Sequence, residues 1–526
     1  MLNAERKSLG AFYTDKAAAQ FIVDWALPRR GRLLDPSCGD GVFLSVASSR
    51  QMSRGVGVEI SELQSRQTRT LVPAPLIEII TGDFFDYYPT EKFDAVVGNP
   101  PFIRYQSFPT TSREKALFRC RLAGVALNKL SSSWAHFVVV ASEMLKVGGR
   151  LGLVLPAELL HANYAKPVLA YLARSFESVT IVTFKRRLFP DISQDTLILL
   201  ASGRGASCDR MMHIDAESID DLRVHGFDTS GTEVSPQEYL RGNRRMKENF
   251  IDPKALQLIE GLLESGLAYR LGDKLSSDIG YVTGANEFFH LTSARAKEMR
   301  LPNAVLSPAV FRSRGLSGLA FTIEDWKRAD ENGEAGYLLH ITDSRLVRAS
   351  TRRYLNFGES QGYHERHKCR IRKTWYSVPH VYRPEAFLTS MSGEMPFIVV
   401  NDANVVTSNS LHILRSRGNK ADFRRVAFSW LSAVSALSVE VEGHALGGGM
   451  LKLEPKESER VVLVDLPRLR AKDFNHVDGL LRSGDLQGAG DFVDAIVCDQ
   501  AGVPKRTLKI VRRAVQELRS RRRKQR

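Results

Sequence analysis

The sequence predicts an α/β protein whose first domain is a doubly wound, mostly parallel sheet, followed by a mixed α+β domain. Apolar runs typical of buried strands alternate with helical patterns through the first half of the chain. Several of these runs end at an acid or an amide. The 526 residues, of which 43% are hydrophobic, suffice for two or more domains. We expect these domains over residues 1–242 and 243–526.

The first predicted elements are a helix and a strand that runs into a glycine-containing loop. Residues 17–27 have the spacing of an amphipathic helix, for which Thr14 is the expected N-cap. Residues 33–41 follow as a buried strand, a loop and the start of another helix, and the loop glycines allow backbone to approach a ligand closely. The last glycine of the six-residue dinucleotide fingerprint is absent, which argues against a nicotinamide or flavin cofactor.

The next two strands also end beside acids. Residues 55–59 end at Glu59, where a doubly wound sheet presents a carboxylate to ribose hydroxyls. Residues 76–80 lead to Asp83 and Phe84, an acceptor for a purine amine beside a ring that covers a base.

A fourth strand, residues 93–98, runs directly into Asn99, Pro100, Pro101 and Phe102. An exocyclic amine is a poor nucleophile because its lone pair is delocalised into the ring. If the Asn99 side-chain oxygen and the Pro100 carbonyl each accept one N–H, the nitrogen becomes more tetrahedral and its lone pair is freed. Phe102 then stacks on the base. A simple strand-ending turn is the structural alternative.

Farther along, the alternation of helix and strand continues. It predicts helices at 133–146 and 165–176, strands at 151–155, 179–184 and 195–200, and a connecting region of mixed strand and loop at 200–243.

In order and spacing these segments resemble the S-adenosylmethionine-dependent amino-methyltransferases, most of all the TaqI-like N6-adenine DNA methyltransferases. The resemblance implies the class I methyltransferase sheet, S-adenosylmethionine as methyl donor, and a catalytic role for residues 99–102. The N-terminal family segment G-x-Y/F-x-T-P corresponds to residues 10–15, with Asp15 replacing the proline. The implied cofactor-binding residues are Tyr13, Thr14, Asp35, Ser37, Cys38, Gly39, Gly41, Glu59, Asp83, Phe84 and Asn99.

The resemblance also implies that the target adenine leaves the duplex and is held between Phe102 and Phe189. A loop phenylalanine such as Phe189 is otherwise a packing residue. Methyl transfer is then direct, without a covalent enzyme intermediate. Because the chain lacks the Pro-Cys nucleophile motif of cytosine chemistry, Cys38 is interpreted as a residue of the cofactor loop.

The second half carries no catalytic motif, but residues 280–289, 401–409 and 447–453 loosely resemble the target-recognition domains of the same family. The resemblance suggests elements that dock on the major groove, and glycine-rich turns of an ordinary domain are the alternative. The predicted DNA contacts are Arg370, Arg372, Lys373 and Lys452.

The formal net charge of +15 fits a polyanionic partner. Residues 505–526 hold eleven Lys or Arg against one Glu, which gives this tail +10. We expect an amphipathic helix along phosphates, then a disordered clasp at 519–526, with a solvated end as the alternative. The apolar face of this helix is predicted to comprise Leu508, Val511, Val515 and Leu518.

No metal site is expected. The five cysteines form no C-x-x-C pair, and the cluster of His364, His367 and Cys369 lacks the other half of a zinc site, so we interpret it as polar surface. Scattered cysteines, together with the lack of a signal peptide or a membrane-length apolar run, predict a cytoplasmic protein that has no membrane partner. The family resemblance implies a prokaryotic cell, with the protein at the nucleoid when it is bound to DNA.

The expected activity is that of an adenine-specific DNA methyltransferase. Its substrate would be double-stranded DNA, and its role protection of host DNA beside a separate cognate restriction endonuclease. A fused nuclease is not expected, because no P-D…E-x-K cluster is present and the motifs begin near residue 10. A monomer is expected, because no dimer seam is evident. The alternatives are an RNA or protein-glutamine methyltransferase and a non-catalytic DNA-binding subunit.

Overall fold

The computed structural model of the chain describes residues 14–50, 52–72, 75–186, 188, 195–225, 231–241, 245–418 and 420–523. The chain forms two units, one of Met1–Phe250 with Arg523–Arg526 and one of Ile251–Arg522. Within the described ranges, none of the helices combines the length and the apolar character that a membrane span requires.

One large sheet forms the centre of the first unit. Its strands are β1 (Gly31–Asp35), β2 (Met52–Glu59), β3 (Ile77–Thr81), β4 (Phe93–Gly98), β5 (Leu145–Pro156), β6 (Phe176–Phe184), β7 (Thr196–Arg204), β8 (Met211–Ala216) and β9 (Thr232–Val234). The spatial order is β3-β2-β1-β4-β5-β7-β6-β8-β9, and the first five are mutually parallel. β7 runs antiparallel to both of its neighbours. The order reverses beside β1, and doubly wound sheets bind ligands at the carboxyl ends of such strands.

The helices of the first unit flank this sheet. They are α1 (Lys16–Ala26), α2 (Val42–Ser48), α3 (Glu62–Leu71), α4 (Thr110–Leu122), α5 (Ser133–Glu143), α6 (Lys166–Ser175), α7 (Ile219–His225) and α8 (Pro236–Arg241). The predicted Thr14 cap of α1 is wrong. Asp15 has the extended backbone of an N-cap, and its carboxylate accepts a hydrogen bond from the Ala17 N–H at 3.3 Å.

Helix α5 is enclosed by protein, and all ten residues from Ser133 to Ser142 are buried. The sequence pattern extends this helix to residue 146, but it ends at Glu143 because Leu145 already pairs with Phe93 in the sheet. Residues 200–243, expected as mixed strand and loop, also contribute the short helices α7 and α8.

The second unit is a mixed α+β structure of small sheets and helices. Its strands are β10 (Ala268–Arg270), β11 (Leu275–Ile279), β12 (His290–Leu291), β13 (Leu306–Val310), β14 (Ala335–Leu339), β15 (Ala386–Thr389), β16 (Met391–Ser392), β17 (Ile398–Val400), β18 (Val406–Thr407), β19 (Leu411–Ser416), β20 (His444–Ala445), β21 (Leu451–Lys452) and β22 (Val462–Val464). They pair as β11-β19-β15-β17, β12-β14-β13-β18, β16-β21-β20 and β10-β22. Two aromatic-rich cores lie among these sheets.

The helices of the second unit range from single turns to the long C-terminal helix. They are α9 (Pro253–Glu264), α10 (Leu271–Lys274), α11 (Asn286–Phe289), α12 (Ser293–Glu298), α13 (Ile323–Glu331), α14 (Ala349–Ser360), α15 (His367–Arg370), α16 (Phe423–Ser429), α17 (Ala433–Glu442), α18 (Pro455–Ser458), α19 (Ala471–Arg482), α20 (Leu486–Ala501) and α21 (Lys505–Arg522).

The basic tail is folded into the second unit as helix α21, which packs against α17. The predicted apolar face is confirmed, because its four residues are all buried. The expected disorder of residues 519–526 is wrong for 519–522, and residues 524–526 lie outside the described residues. Arg519 and Arg522 turn inward because both pair with Glu440, whose side chain is only 2% exposed.

Candidate active site at the strand ends

The loop after β1 presents a buried carboxyl group. Asp35 is 1% exposed, and its Oδ1 accepts a hydrogen bond from the Ser37 N–H at 3.1 Å. Its Oδ2 is buried and has no hydrogen-bond partner among the described residues. Burial raises the pKa of Asp35 to about 8; the Ser37 hydrogen bond opposes this rise, and the negative charges of Glu59 and Asp40 add to it. The group is thus mostly protonated at neutral pH, and it can accept hydrogen bonds from a bound cation only after it releases that proton.

Two glycines bring this loop close to the end of β2. Gly39 and Gly41 both have positive φ, +49° and +77°, which favours glycine. The Gly39 N–H donates to Glu59 Oε2 at 3.0 Å, and the Ser61 N–H donates to the other carboxylate oxygen at 2.8 Å. A Cβ on Gly39 would meet no atom within 4 Å, so the space beside it is open. Glu59 therefore fixes the loop while leaving room next to it.

Cys38 lies in the same loop but has the character of a packing residue. Its N–H donates to the Val58 carbonyl at 3.0 Å, and its side chain is buried. Burial and the nearby Asp35 and Glu59 charges raise the pKa of the Cys38 thiol well above its ordinary value. This shift favours the protonated thiol, which is the weakly nucleophilic form.

The end of β3 is held by its own local structure and by α5. The Asp83 carboxylate accepts a hydrogen bond from the Phe85 N–H at 2.9 Å and so caps a short 3₁₀ turn. The Phe84 ring is buried and stacks on Phe137 of α5, with ring centroids 5.0 Å apart and planes 13° apart. This pair forms a rigid aromatic wall behind the strand ends.

Residues 99–102 follow β4, the neighbour of β1. The Ser37 Oγ–H donates to the Asn99 carbonyl at 3.3 Å, which joins the two loops. A Cβ on Gly98 would lie 2.9 Å from Asp35 Oδ1, so glycine permits this close approach. The structure thus brings together the predicted residues that follow β1, β2 and β4.

One serine at the start of α5 holds the backbone at the end of the Asn-Pro-Pro-Phe segment. The Ser133 Oγ–H donates to the Pro101 carbonyl, and Ser133 Oγ accepts from the Ile103 N–H at 2.9 Å. The Ser133 N–H donates to the Ile103 carbonyl at 3.0 Å. Phe102 lies between these two anchored residues and is 9% exposed.

Comparison with known proteins gives two family matches. Residues 65–189 match the Eco57I restriction-modification methylase family. Residues 243–498 match the family described as the C-terminal domain of the type II methyltransferase M.Eco57I. The first match spans β3 to β6 with the Asn-Pro-Pro-Phe segment, and the second spans most of the second unit.

Two relatives match over nearly their whole length. The type II methyltransferase M.AccI of Acinetobacter calcoaceticus is 21% identical over 91% of this chain and 89% of its own length. The type II methyltransferase M.XamI of Xanthomonas campestris pv. amaranthicola is 23% identical over 88% of this chain and 86% of its own length. The chain belongs to the type II restriction–modification methylases. The class I fold of S-adenosylmethionine-dependent methyltransferases and a DNA methyl-transfer activity accompany that membership.

Among solved structures, the methylase resembles the type IIL restriction-modification enzyme MmeI, solved in complex with DNA. The TM-score is 0.57 at 12% identity, covering 98% of this chain and 79% of that one. A nuclease-deletion mutant of the type ISP enzyme LlaGI, solved with a DNA substrate mimic, gives a TM-score of 0.50 at 13% identity over 90% of this chain and 54% of that one. These likenesses establish the fold of the methylase.

Two of the predicted site residues are not described. Tyr13 and Phe189 lie outside the described residues. Thr14 is buried just before α1.

The four predicted DNA contacts of the second unit have different environments. Arg370 and Lys373 are exposed. Arg372 instead donates hydrogen bonds to backbone carbonyls, and Lys452 lies 2.5 Å from Glu454 in an ion pair. Cys369, interpreted as part of a polar surface, is fully buried because its thiol packs against the loop that holds Arg372.

Sequence analysis missed a polar cluster after β5. Glu158 Oε2 accepts hydrogen bonds from Ser132 Oγ and Trp134 Nε1, each at 3.4 Å, and from the Tyr164 hydroxyl. Ser132 and Trp134 flank Ser133, so this carboxylate supports the start of α5. An acid soon after a buried strand is the same signal that singled out Glu59 and Asp83, and applied to β5 it finds Glu158.

Proposed function

We propose that the methylase transfers a methyl group from S-adenosylmethionine to N6 of adenine in double-stranded DNA, as TaqI-like enzymes do. The observation that carries this proposal is the Asn99-Pro100-Pro101-Phe102 segment at the end of β4, one hydrogen bond from the loop after β1. An amide oxygen and a proline carbonyl form a pair of acceptors suited to an exocyclic amine.

The residues after β1 fit the cofactor. Asp35 Oδ2 is buried without a partner among the described residues, and once ionised the carboxylate suits an ammonium group such as that of an amino acid. The open space at Gly39 admits a ligand against the backbone. When bound, S-adenosylmethionine supplies a sulfonium methyl group, whose C–S bond breaks with its electron pair left on sulfur.

Asn99 and Pro100 prepare the amine. The Asn99 side-chain oxygen and the Pro100 carbonyl each accept one N–H, which draws the nitrogen toward tetrahedral geometry and frees its lone pair to form the new N–C bond. The nitrogen afterwards loses one proton to water. Positioning supplies much of the rate, because no covalent enzyme intermediate is required. The backbone anchors from Ser133 to Pro101 and Ile103 keep these acceptors in place.

Access to N6 requires that the adenine leave the base stack. Phe102 and Phe189 are proposed to hold the extruded base between them, offsetting part of an unstacking cost of a few kcal/mol. The Phe102 ring lies directly after the acceptor pair, where a stacked base would keep its amine in line.

In the cell, we assign this activity to the protection of host DNA beside a separate endonuclease that acts on the same sequence. The proposed working form is a monomer that modifies one strand at a time.

The deciding experiment measures transfer of tritiated methyl from S-adenosylmethionine to unmethylated plasmid DNA, total RNA and a protein extract in parallel. The labelled DNA is then sequenced for N6-methyladenine. We expect label in DNA alone, at adenines within one short motif. Label at cytosine, or in RNA or protein only, would contradict the proposed substrate, and label nowhere would favour a non-catalytic DNA-binding subunit.

A further inference from the structure

The second unit carries a basic turn, residues 366–373, with five Lys or Arg side chains and no acid. Helix α15 lies in its first half, and Ile371 is the C-cap residue that follows this helix. The side chains of the turn fall into an inward set and an outward set.

The inward set fastens the turn to the protein. Cys369 is fully buried, and its thiol donates to the Thr283 carbonyl at 3.6 Å. Arg372 donates to the Val282 and Thr283 carbonyls at 2.8 and 2.7 Å. Three contacts thus attach the turn to one backbone segment.

One ion pair and one close backbone approach hold the first half of the same turn. Arg366 forms an ion pair with Glu287 at 2.6 Å. Gly284 has a φ of +80°, and a Cβ on it would lie 2.6 Å from the Cβ of Lys368. Glycine therefore lets α15 approach the backbone of residues 282–284 closely.

The outward set consists of Lys368, Arg370, Lys373 and Ile371, all exposed. The three cations have no ion-pair partner among the described residues. Ile371 is 61% exposed, although it stands next to Arg370 and Arg372 in the chain. A single exposed apolar side chain is ordinary on a protein surface. Here the inward contacts of the turn keep Ile371 exposed, and three cations without acidic partners among the described residues surround it. This arrangement is complementary to an apolar base surface bordered by phosphates.

We propose that the basic turn docks on duplex DNA, with Ile371 in contact with the bases and Lys368, Arg370 and Lys373 at the flanking phosphates. This inference rests on the proposed DNA substrate and names a surface for it. Apolar side chains recognise thymine methyl groups in the major groove or enter between base steps. Phosphate contacts release counterions and make the affinity depend on salt, whereas an apolar base contact does not.

The experiment therefore separates the two kinds of contact by their salt dependence. The full chain binds two short fluorescein-labelled duplexes over a salt series, one carrying the motif found by methyl transfer and one with that motif scrambled. The variants are Ile371→Ala, Ile371→Leu and Arg370→Gln, and Ile323→Ala is the matched control, because Ile323 is also exposed at 45% on the same unit.

We expect Ile371→Ala to weaken binding of the motif duplex roughly tenfold, to leave the scrambled duplex nearly unaffected and to keep the salt slope unchanged. Ile371→Leu retains apolar volume and should bind like the wild type. Arg370→Gln should weaken both duplexes and reduce the salt slope by about 1. Because all the substituted side chains are exposed, the thermal midpoints should not move.

Two results would overturn the inference alone: equal duplex discrimination by Ile371→Ala and the wild type, or an unchanged salt slope in Arg370→Gln. If the wild type methylates DNA but the variants give both of these results, the proposed function stands and the basic turn is not the DNA-binding surface. A wild type that labels no DNA in the methyl-transfer assay, and that binds no mixed-sequence duplex, overturns both the proposed function and this surface.

Discussion

The strand-end site of the first unit and the basic turn of the second are built in opposite ways. In the first, side chains far apart in sequence meet because each follows a parallel strand: Ser37 donates to the Asn99 carbonyl, and Gly39 donates to Glu59. In the second, direct neighbours have opposite environments, with Arg372 bonded to backbone carbonyls and Ile371 exposed.

This difference explains which functional residues a sequence reveals. A parallel sheet brings the ends of its strands to one edge, so a polar residue after a buried strand is placed by the topology itself. In a short turn no such rule applies, and the tertiary contacts of each residue decide its direction. The cluster of basic residues in the sequence therefore identifies the turn, but it does not show which of its side chains are free to contact DNA.

The sharpest test of the strand-end site is Asn99→Ala. Loss of one of two acceptors for the target amine should lower kcat by about 10²–10³-fold, because the stabilisation is needed mainly in the transition state. In equilibrium titrations, binding of DNA should stay close to wild type, and binding of S-adenosylmethionine should weaken far less than kcat falls. Asn163→Ala is the matched control, since Asn163 is exposed on the same unit. Undiminished transfer by Asn99→Ala would remove Asn99 from the proposed chemistry.

The second test asks whether the basic tail is structural. The Arg522 side chain is 5% exposed and bonds to Glu440, and its guanidinium also donates to the Gly393 carbonyl at 2.9 Å. Arg522→Ala leaves a buried carboxylate with one partner fewer, and should lower the free energy of unfolding by about 3 kcal/mol in urea titrations.

The matched control for this variant is Arg513→Ala, because Arg513 is exposed on the same helix and should change stability by about 0.5 kcal/mol or less. A tail that acts on phosphates would behave differently. In that case both variants of the protein would bind DNA more weakly, and the urea midpoint of the protein would stay constant.

Much of the first unit follows from its sequence, and much of the second does not. The strands were predictable because each is a continuous apolar run. The strand-end residues were predictable because each is a polar residue that directly follows such a run. The cap of α1 was not, because Thr14 and Asp15 are both good caps and only tertiary burial of Thr14 decides between them. The inward direction of Arg519 was not predictable either, because its partner Glu440 is far away in sequence.

A third test uses the pH dependence of cofactor binding. In the free protein the pKa of Asp35 is raised to about 8 by burial, so the carboxyl group is protonated below that pH. If it must become a carboxylate to accept an ammonium group, binding releases a proton, and affinity should fall by roughly tenfold per pH unit below about pH 8. Calorimetry in buffers of different ionisation enthalpy measures that proton.

The same shift has the opposite sign for the stability of the cofactor-free protein. Because the folded state holds this proton more tightly than the unfolded state, the contribution of Asp35 falls as pH rises from about 4 to about 8. Asp35→Asn should bind the cofactor weakly and without this pH dependence. An affinity that is constant between about pH 6 and pH 8 in the wild type would show that Asp35 does not hold the ammonium group.

The mildest perturbation tests whether the strand-end site needs its support from α5. Ser133→Ala removes the hydrogen bonds of the hydroxyl with the Pro101 carbonyl and the Ile103 N–H but keeps the backbone bond between Ser133 and Ile103. We expect kcat to fall about tenfold with little change in the KM for S-adenosylmethionine, because the acceptors lose alignment rather than chemistry. Ser142→Ala is the control: it removes an equally buried hydroxyl of the same helix, which donates to the Val138 carbonyl at 2.7 Å and has no hydrogen bond to residues 99–103 among the described residues. Equal kcat in the two variants would mean that residues 99–102 hold their geometry without α5, and that the strand end alone builds the site.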